Sequence, residues 1–283
     1  MNTRQEDPPE TADAHRGKVV LVVGGGRGMG RAVVEAFALR GARVVVADTD
    51  HLASAYNHYR SAEVGGFAAA GELAAELRDR GCDVTAVAAD AADEGSVQAL
   101  LATVGERYGQ LDTVVNAFGV THVCTVEQME LAEFTRVIEG NLNGVFLVSK
   151  HALPLLRADG GGSIVNFSSV SGRSGFAKVA HYCAAKFGVI GFTAALALEE
   201  ARNGVRVNAV CPGIVRTNMW NYLLEEFTRP GETEEECWER MRMMIPQREF
   251  QQPQDIAELV LFLASARRIT GQAVSVDGGM SAP

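Results

Sequence analysis

A serine pair, a tyrosine and a lysine lie in one short stretch whose spacing suits proton transfer. Ser168 and Ser169 precede Tyr182, and Lys186 follows Tyr182 by four residues. Residues four apart share one face of a helix, so we expect the phenol and the ammonium to be neighbours. A phenol has a pKa of about 10, and a nearby cation stabilises the phenolate and lowers that pKa. We therefore predict that Tyr182 transfers protons near neutral pH.

A glycine-rich turn stands between the first apolar run, residues 18–23, and a helix predicted to end at Leu39. It reads Gly24-Gly25-Gly26-Arg27-Gly28-Met29-Gly30. Glycines let the backbone approach a pyrophosphate, and a helix N-terminus offers free N–H groups. The spacing Gly-x-x-x-Gly-x-Gly differs from Gly-x-Gly-x-x-Gly. Its position after a buried strand favours a dinucleotide site over a mere tight turn.

Asp48 ends the second apolar run, eighteen residues after Gly30. A carboxylate there accepts hydrogen bonds from the adenosine ribose and repels a 2′-phosphate, which favours NAD over NADP. Arg27 is a counter-signal because it can hold a phosphate. We give Asp48 more weight because its charge would lie against the ribose. The alternative for Asp48 is a solvated acid at a strand end.

These groups are set in a regular alternation of apolar runs and helical stretches. Continuous apolarity predicts strands buried on both faces of a parallel sheet. The pattern predicts an α/β protein with a single-domain, Rossmann-type doubly wound sheet and helices on both faces. We expect a disordered leader at residues 1–16, the domain at 17–283 and an insertion at 49–71. Strands are predicted at 18–23, 42–47, 84–89, 111–115, 163–167, 205–211 and 273–276, and helices at 72–80, 96–108, 182–201 and 255–264.

Composition excludes several classes of protein. The net charge of the 283 residues is −9 and there is no basic tract, which argues against nucleic acid or an anionic membrane as partner. No apolar run is long enough to predict a membrane span, and the polar N-terminus lacks the apolar core of a signal peptide. The five cysteines and six histidines show no metal-ligand spacing. We predict a cytoplasmic protein with reduced thiols and no metal.

The chain resembles the short-chain dehydrogenase/reductase superfamily, in its single-domain alcohol-dehydrogenase-like branch with Tyr-x-x-x-Lys. The resemblance extends over residues 18–279. The resemblance rests on the order and spacing of the family's motif residues. In this sequence these are the glycine turn at Gly24, Gly28 and Gly30, then Asp90, Asn116-Ala117-Phe118-Gly119, Asn141, Ser169, Tyr182, Lys186, and Pro212-Gly213 with Thr217.

The resemblance implies roles for four catalytic residues. Tyr182 is expected to be the general acid/base, and Ser169, rather than Ser168, to bind and polarise the substrate oxygen. Lys186 is expected to lower the pKa of the phenol and to bind the nicotinamide ribose. Asn141 is expected to hold a water in a proton relay to solvent.

The same resemblance implies a cofactor site that extends from the glycine turn to the segment after the sixth strand. Asp90 is expected to contact the adenine ring, and Val215 and Thr217 the nicotinamide end. The predicted cofactor residues are Gly24, Gly26, Arg27, Gly28, Met29, Gly30, Asp48, Ala89, Asp90, Ala91, Asn116, Ala117, Phe118, Gly119, Tyr182, Lys186, Pro212, Gly213, Val215 and Thr217.

Three residues depart from the family pattern. Val23 stands where the family usually has threonine, and Ala117-Phe118 interrupts its Asn-Asn-Ala-Gly. Val23 loses a hydroxyl that braces the turn, Ala117 loses an amide that links strands, and Phe118 places a ring near the cofactor pocket. We expect these changes to affect cofactor geometry and stability rather than the chemistry.

The substrate pocket is expected beside Ser169 and Phe176 and beneath a mobile lid at residues 217–245. Met219 and Trp220 lie in that lid and predict an apolar or cyclic alcohol or ketone. The alternative for both is lid packing or a subunit contact. The insertion at 49–71 is similar, in place and length, to loops of actinobacterial carveol-type dehydrogenases.

The leading hypothesis is an NAD-dependent oxidoreductase of secondary alcohols and ketones. An NADP-dependent biosynthetic ketoreductase is the alternative that Arg27 favours. A non-catalytic NAD-binding regulator and a purely structural partner protein are further alternatives, although all four catalytic positions are present. By resemblance, we also expect a homotetramer formed through the two long helices that follow strands four and five.

Overall fold

The computed structural model describes residues 14–51 and 65–282. Most of the predicted leader and the middle of the predicted insertion therefore lie outside the described residues. The predicted end of the leader is wrong. His15 is only 5% exposed, and its ring meets Phe37 edge-on with ring centroids 5.0 Å apart. Residues 14–16 thus belong to the fold.

Seven parallel strands form one sheet within the described part of the chain. Every residue of the first strand is buried, as continuous apolarity predicts. The strands are β1 (Val19–Val23), β2 (Arg43–Asp48), β3 (Asp83–Ala88), β4 (Thr113–Asn116), β5 (Ser163–Phe167), β6 (Arg206–Pro212) and β7 (Ala273–Val276). Their order is β3-β2-β1-β4-β5-β6-β7. The order reverses between β1 and β4, and a crevice is expected at the carboxyl ends there.

Helices cover both faces of this sheet. Val20 and Val22 of β1 join one apolar cluster, whereas Val19 and Leu21 join another, because successive side chains of a strand point to opposite faces. The helices are α1 (Gly28–Ala38), α2 (Gly66–Asp79), α3 (Glu94–Tyr108), α4 (Leu131–Ile138), α5 (Gly144–Ala158), α6 (Ala180–Glu200), α7 (Asn218–Phe227), α8 (Glu234–Met243) and α9 (Pro253–Ser265). The sheet and its two helical layers confirm the predicted fold class.

The predicted strand bounds agree with the structure to within two residues. The largest error is the start of α2, predicted at residue 72 and observed at Gly66. The last part of the predicted insertion is therefore helix. The predicted lid consists of two helices, α7 and α8.

By length and composition alone, one helical segment could span a membrane, so the prediction that none could do so is wrong. This segment is Ala180–Asn203, which contains α6. Its most apolar 18 residues have a mean hydropathy of 1.3, and 44% of them are buried inside the protein. The helix packs beside β6 and carries Lys186, which is only 2% exposed. We interpret α6 as the core helix of a globular fold.

Candidate functional site

The glycine turn brings backbone close to backbone at the carboxyl end of β1. Gly24 has a φ of +78°, and a Cβ added there would lie 2.8 Å from the Cβ of Phe118. A Cβ on Gly30 would lie 2.0 Å from the carbonyl oxygen of Gly24. Arg27, at the N-cap of α1, makes no side-chain cap hydrogen bond. The first N–H groups of α1 therefore face the crevice without a side-chain cap, which suits an anionic ligand.

Asp48 is anchored to this turn by its carboxylate. One oxygen accepts from the backbone N–H of Gly26 at 2.8 Å, and the other from that of Thr49 at 2.9 Å. Desolvation raises the pKa of Asp48, while these two bonds and the charge of Arg27 oppose the rise. The carboxylate is thus held in one orientation at the rim of the crevice.

The start of α2 closes over the same carboxylate. A Cβ on Gly66 would lie 2.2 Å from Oδ1 of Asp48, so only glycine allows this approach. Arg27 donates from Nη2 to the carbonyl of Gly65 at 2.9 Å. The Gly65-Gly66 pair, predicted to be part of a loop insertion, is therefore part of the site's wall.

A cavity of about 290 Å³ follows the crevice from α2 to the start of α6. Its lining contains fifteen of the twenty predicted cofactor residues. Of the other five, Gly26 holds Asp48, and Pro212, Gly213 and Val215 line a neighbouring cavity. Asn116 is fully buried, and its Nδ2 donates to Oδ1 of Asn166 at 2.9 Å. The Asn116 amide thus ties β4 to β5 behind the cavity wall.

The two serines after β5 have different partners. Ser168 donates its hydroxyl to the carbonyl of Lys186 at 2.8 Å. The hydroxyl of Ser169 lies beside the Tyr182 phenol and lowers the pKa of that phenol, against the rise caused by burial. The structure therefore places Ser169, and not Ser168, beside the predicted acid/base residue.

Lys186 lies at the floor of the cavity. Its Nζ donates to the carbonyl of Phe167 at 2.9 Å and lies 5.5 Å from the centroid of the Tyr182 ring. Desolvation raises the pKa of the phenol to about 12, with the Ser169 bond opposing, and lowers the pKa of Lys186 to about 7. The prediction that the cation would set the phenol's pKa is wrong here, because burial favours the neutral form of both groups.

Asn141 lies in a π-helical turn, Glu139–Asn143, between α4 and α5. Its Nδ2 donates to the carbonyls of Val120 and Val137 at 2.7 and 2.8 Å. Its Oδ1 is buried and has no hydrogen-bond partner within the described ranges. A Cβ on Gly119 would lie 2.6 Å from that oxygen and 3.3 Å from Nζ of Lys186. The side-chain oxygen Oδ1 of Asn141 and Nζ of Lys186 are therefore close neighbours.

A second cavity of about 260 Å³ meets the first at Ser168, Tyr182 and Thr217. All four residues predicted to contact the substrate, Ser169, Phe176, Met219 and Trp220, line it. Arg240, Met241 and Met244 also line it and lie within the predicted lid, whereas Met280 lines it and was missed by sequence reasoning. Met280 follows β7, and the carboxyl ends of parallel strands meet at one edge, so its position was a usable signal.

In comparisons with known proteins, this chain is similar to oxidoreductases over almost its whole length. The family model described as enoyl-(acyl carrier protein) reductase matches residues 23–281. A 3-oxoacyl-[acyl-carrier-protein] reductase of Synechocystis is 36% identical over 93% of this chain and 96% of its own. A 2-(S)-hydroxypropyl-CoM dehydrogenase of Xanthobacter autotrophicus is 35% identical over 94% of this chain and 98% of its own. An actinorhodin polyketide ketoreductase solved with NADPH has a TM-score of 0.85 and is 33% identical, covering 94% of this chain and 98% of its own.

Proposed function

The chain belongs to the short-chain dehydrogenase/reductase superfamily, and from that we propose that it interconverts a secondary alcohol and a ketone with NAD as its redox cofactor. One observation carries the proposal. The hydroxyls of Ser169 and Tyr182 meet where the two cavities join. A substrate oxygen in the second cavity would reach both hydroxyls, while its carbon faces the first cavity.

The nicotinamide, when bound, supplies the hydride acceptor or donor. Ser169 binds the substrate oxygen and stabilises the charge that develops on it. Tyr182 gives a proton to that oxygen in reduction and takes one in oxidation. Because burial keeps the phenol neutral, Tyr182 is ready to act as the acid toward a ketone. The ammonium of Lys186 lies beside the Tyr182 ring, and Oδ1 of Asn141 lies near that ammonium. Asn141 would hold a water there that relays the proton between Tyr182 and solvent.

The position of Asp48 supports NAD. Its carboxylate lines the first cavity and is fixed by Gly26 and Thr49. Such an acid repels a 2′-phosphate. NADP is the second candidate. The guanidinium of Arg27 lines the same cavity, and the related polyketide ketoreductase was solved with NADPH.

The apolar second cavity supports an apolar or cyclic substrate. Phe176, Met219, Trp220 and Met241 are among its lining residues. We also propose that α7 and α8 form the lid over this cavity. The indole of Trp220 lies 6.3 Å, centroid to centroid, from that of Trp238 on α8, so the two lid helices are joined by aromatic contact.

An activity panel tests the proposed reaction. Purified protein is given acyclic and cyclic secondary alcohols with NAD⁺ or NADP⁺, and ketones and a 3-oxoacyl thioester with NADH or NADPH. Nicotinamide absorbance is followed. We expect turnover of apolar alcohols or ketones with the NAD pair. Turnover of the thioester alone, with NADPH, would support the biosynthetic ketoreductase, and cofactor binding without any turnover would support the non-catalytic regulator.

Replacing Asp48 with asparagine is expected to shift preference toward NADPH. Asp48→Asn removes the charge that opposes the 2′-phosphate and keeps an acceptor for a backbone N–H. We expect the ratio of NADPH to NADH affinity to rise about tenfold or more, which corresponds to about 1.4 kcal/mol. Fluorescence titration of both cofactors measures it. Asp79→Asn, at the exposed end of α2, is the matched control, and an unchanged ratio in Asp48→Asn contradicts the proposal.

Three further properties remain proposals. We propose a homotetramer built on α5 and α6, because Phe146, Phe187 and Leu198 on these helices are 44%, 46% and 82% exposed. Light scattering of the purified protein tests the proposed tetramer, and a monomer at all concentrations excludes it.

All five cysteines are free, which supports the proposed cytoplasmic location. The common sheet, whose strands lie between residues 19 and 276, supports a single domain.

A further inference from the structure

Four side chains of metal-binding type meet beside the proposed active site. His122, Cys124, Glu133 and His181 each offer one donor atom, and these atoms all lie within 4.8 Å of one another. His122 and Cys124 follow β4, Glu133 is in the first turn of α4, and His181 is in the first turn of α6. The sequence shows no ligand motif because the fold, and not the spacing, brings these residues together. We call this group the His122 cluster.

His181 points to a missing ligand in this cluster. The residue is fully buried, and its Nε2 has no hydrogen-bond partner among residues 14–51 and 65–282. A buried polar atom without a partner costs free energy, so native proteins rarely leave one. On the other side of the ring, Nδ1 accepts a hydrogen bond from the backbone N–H of Tyr182 at 2.9 Å.

The backbone fixes the orientation of the His181 ring. Nδ1 accepts the Tyr182 N–H, and the unpartnered Nε2 belongs to the same buried side chain. A metal bound at Nε2 would require the ring proton at Nδ1, and the backbone of Val179 is within hydrogen-bonding reach of the imidazole to accept it. Metal binding would therefore exchange the bond from Tyr182 for one to Val179.

Glu133 adds a buried negative charge to the cluster. It is only 5% exposed, and it contacts the ring of His122 and the thiol of Cys124, whose Sγ lies 3.6 Å from Oε1. A buried carboxylate needs a cation or several donors. A protonated His122 would satisfy part of that need, but it would leave Nε2 of His181 without a partner. One cation in the centre accounts for all four groups.

We propose that the His122 cluster binds Zn²⁺ through His122, Cys124, Glu133 and His181. Two imidazoles, a thiolate and a carboxylate suit the mixed ligand preference of zinc and of few other common ions. Four protein ligands complete a tetrahedron, so the site is structural and does not activate water.

The site would brace the wall of both cavities. The stretch that supplies His122 and Cys124 begins with Val120, which lines the first cavity, and Thr121, which lines the second. Val123 donates from its backbone N–H to the phenol oxygen of Tyr222 in α7 at 3.2 Å. Zinc would fix this stretch to the start of α6, next to Tyr182. The inference does not depend on the proposed reaction.

Metal binding is tested with the full, untagged chain. The protein is loaded with Zn²⁺, dialysed against metal-free buffer and analysed by elemental mass spectrometry. A second sample is loaded with Co²⁺, whose absorption spectrum reports tetrahedral geometry and thiolate ligation. We expect about one zinc per chain, a thiolate-to-cobalt charge-transfer band, and a higher Tm with zinc than with EDTA.

Variants assign the ligands. Cys124→Ser and Glu133→Gln should reduce retained zinc to background, and Cys124→Ser should remove the charge-transfer band. Cys82→Ser, at a cysteine outside the cluster, should behave as the native protein does. The spectrum of the Co²⁺-loaded native chain tests the proposal by itself, so the test remains valid if a variant folds poorly. A native chain that retains no zinc, or a band that persists in Cys124→Ser, overturns the proposal.

Discussion

Replacing Tyr182 with phenylalanine is expected to abolish turnover while cofactor binding is kept. The change removes the hydroxyl that bonds Ser169 and leaves the ring, which packs 5.5 Å from the Lys186 ammonium. General acid–base catalysis contributes about 10²- to 10⁴-fold to a rate. We expect kcat to fall by about that factor or more, since no neighbouring phenol takes the same position. The folded state should persist, because an apolar ring suits the desolvated site.

The measurement separates chemistry from binding. Steady-state rates give kcat, and a fluorescence titration gives the affinity for NADH, which should stay within about threefold of the native value since the ring stays in place. Tyr108→Phe is the matched control. Its hydroxyl accepts from Nε of Arg107 at the end of α3, outside both cavities, and we expect native rates. Native kcat in Tyr182→Phe removes Tyr182 from the chemistry.

The sheet could be predicted because its central strands are buried on both faces. Every residue of Ser163–Phe167 is buried, and this strand was predicted with the observed bounds. The edge strand Ala273–Val276 is only partly buried, but it is a short run of small and β-branched residues and was also predicted with the observed bounds. The glycine turn and Asp48 follow from the same logic. They stand at carboxyl ends of neighbouring strands, which the topology brings to one edge.

Long-range packing accounts for what could not be predicted. Gly66 has no local reason to start a helix, and its role is visible only through the 2.2 Å approach of an added Cβ to Asp48. The methionines of the second cavity come from α1, α7, the end of α8 and the segment after β7, which are far apart in sequence. The His122 cluster joins three elements in the same way. Spacing along the chain carries none of this information.

The balance of charge at the active site also depended on burial. A Tyr-x-x-x-Lys spacing places phenol and ammonium on one face, which the structure shows. It does not say how far both groups are removed from water. Desolvation raises the pKa of Tyr182 and lowers the pKa of Lys186, so it favours the neutral form of both groups. The structure thus holds Lys186 at a cost in stability, which a variant can reveal.

Replacing Lys186 with methionine is expected to lower activity strongly without a matching loss of stability. Methionine fills similar space but cannot carry the charge near Tyr182 or return its proton. We expect kcat to fall by about 10²-fold or more. Stability changes in two opposite ways. The carbonyl of Phe167 loses its 2.9 Å donor, at about 1–3 kcal/mol, while the cost of a buried ammonium disappears.

The pH dependence of unfolding separates these two effects. The pKa of Lys186 is about 7 in the folded protein and about 10.4 in an unfolded chain. Between those values the unfolded state binds more protons, so this group makes native stability rise with pH. Below about pH 7 the cost of the ammonium is present in full, and it vanishes above about pH 10.

The lost hydrogen bond to Phe167 costs the same at every pH. The slope of the unfolding free energy against pH therefore reports only on the charge of Lys186. Urea unfolding of Lys186→Met should show a smaller rise in stability between about pH 7 and pH 10 than the native chain does. Relative to native, the variant is therefore most stable at the low end of this range. Lys150→Met, at an exposed residue paired with Glu94, should give a curve parallel to the native one. Parallel curves for Lys186→Met would mean that Lys186 keeps an ordinary pKa, and that its ammonium is retained at no cost to the fold.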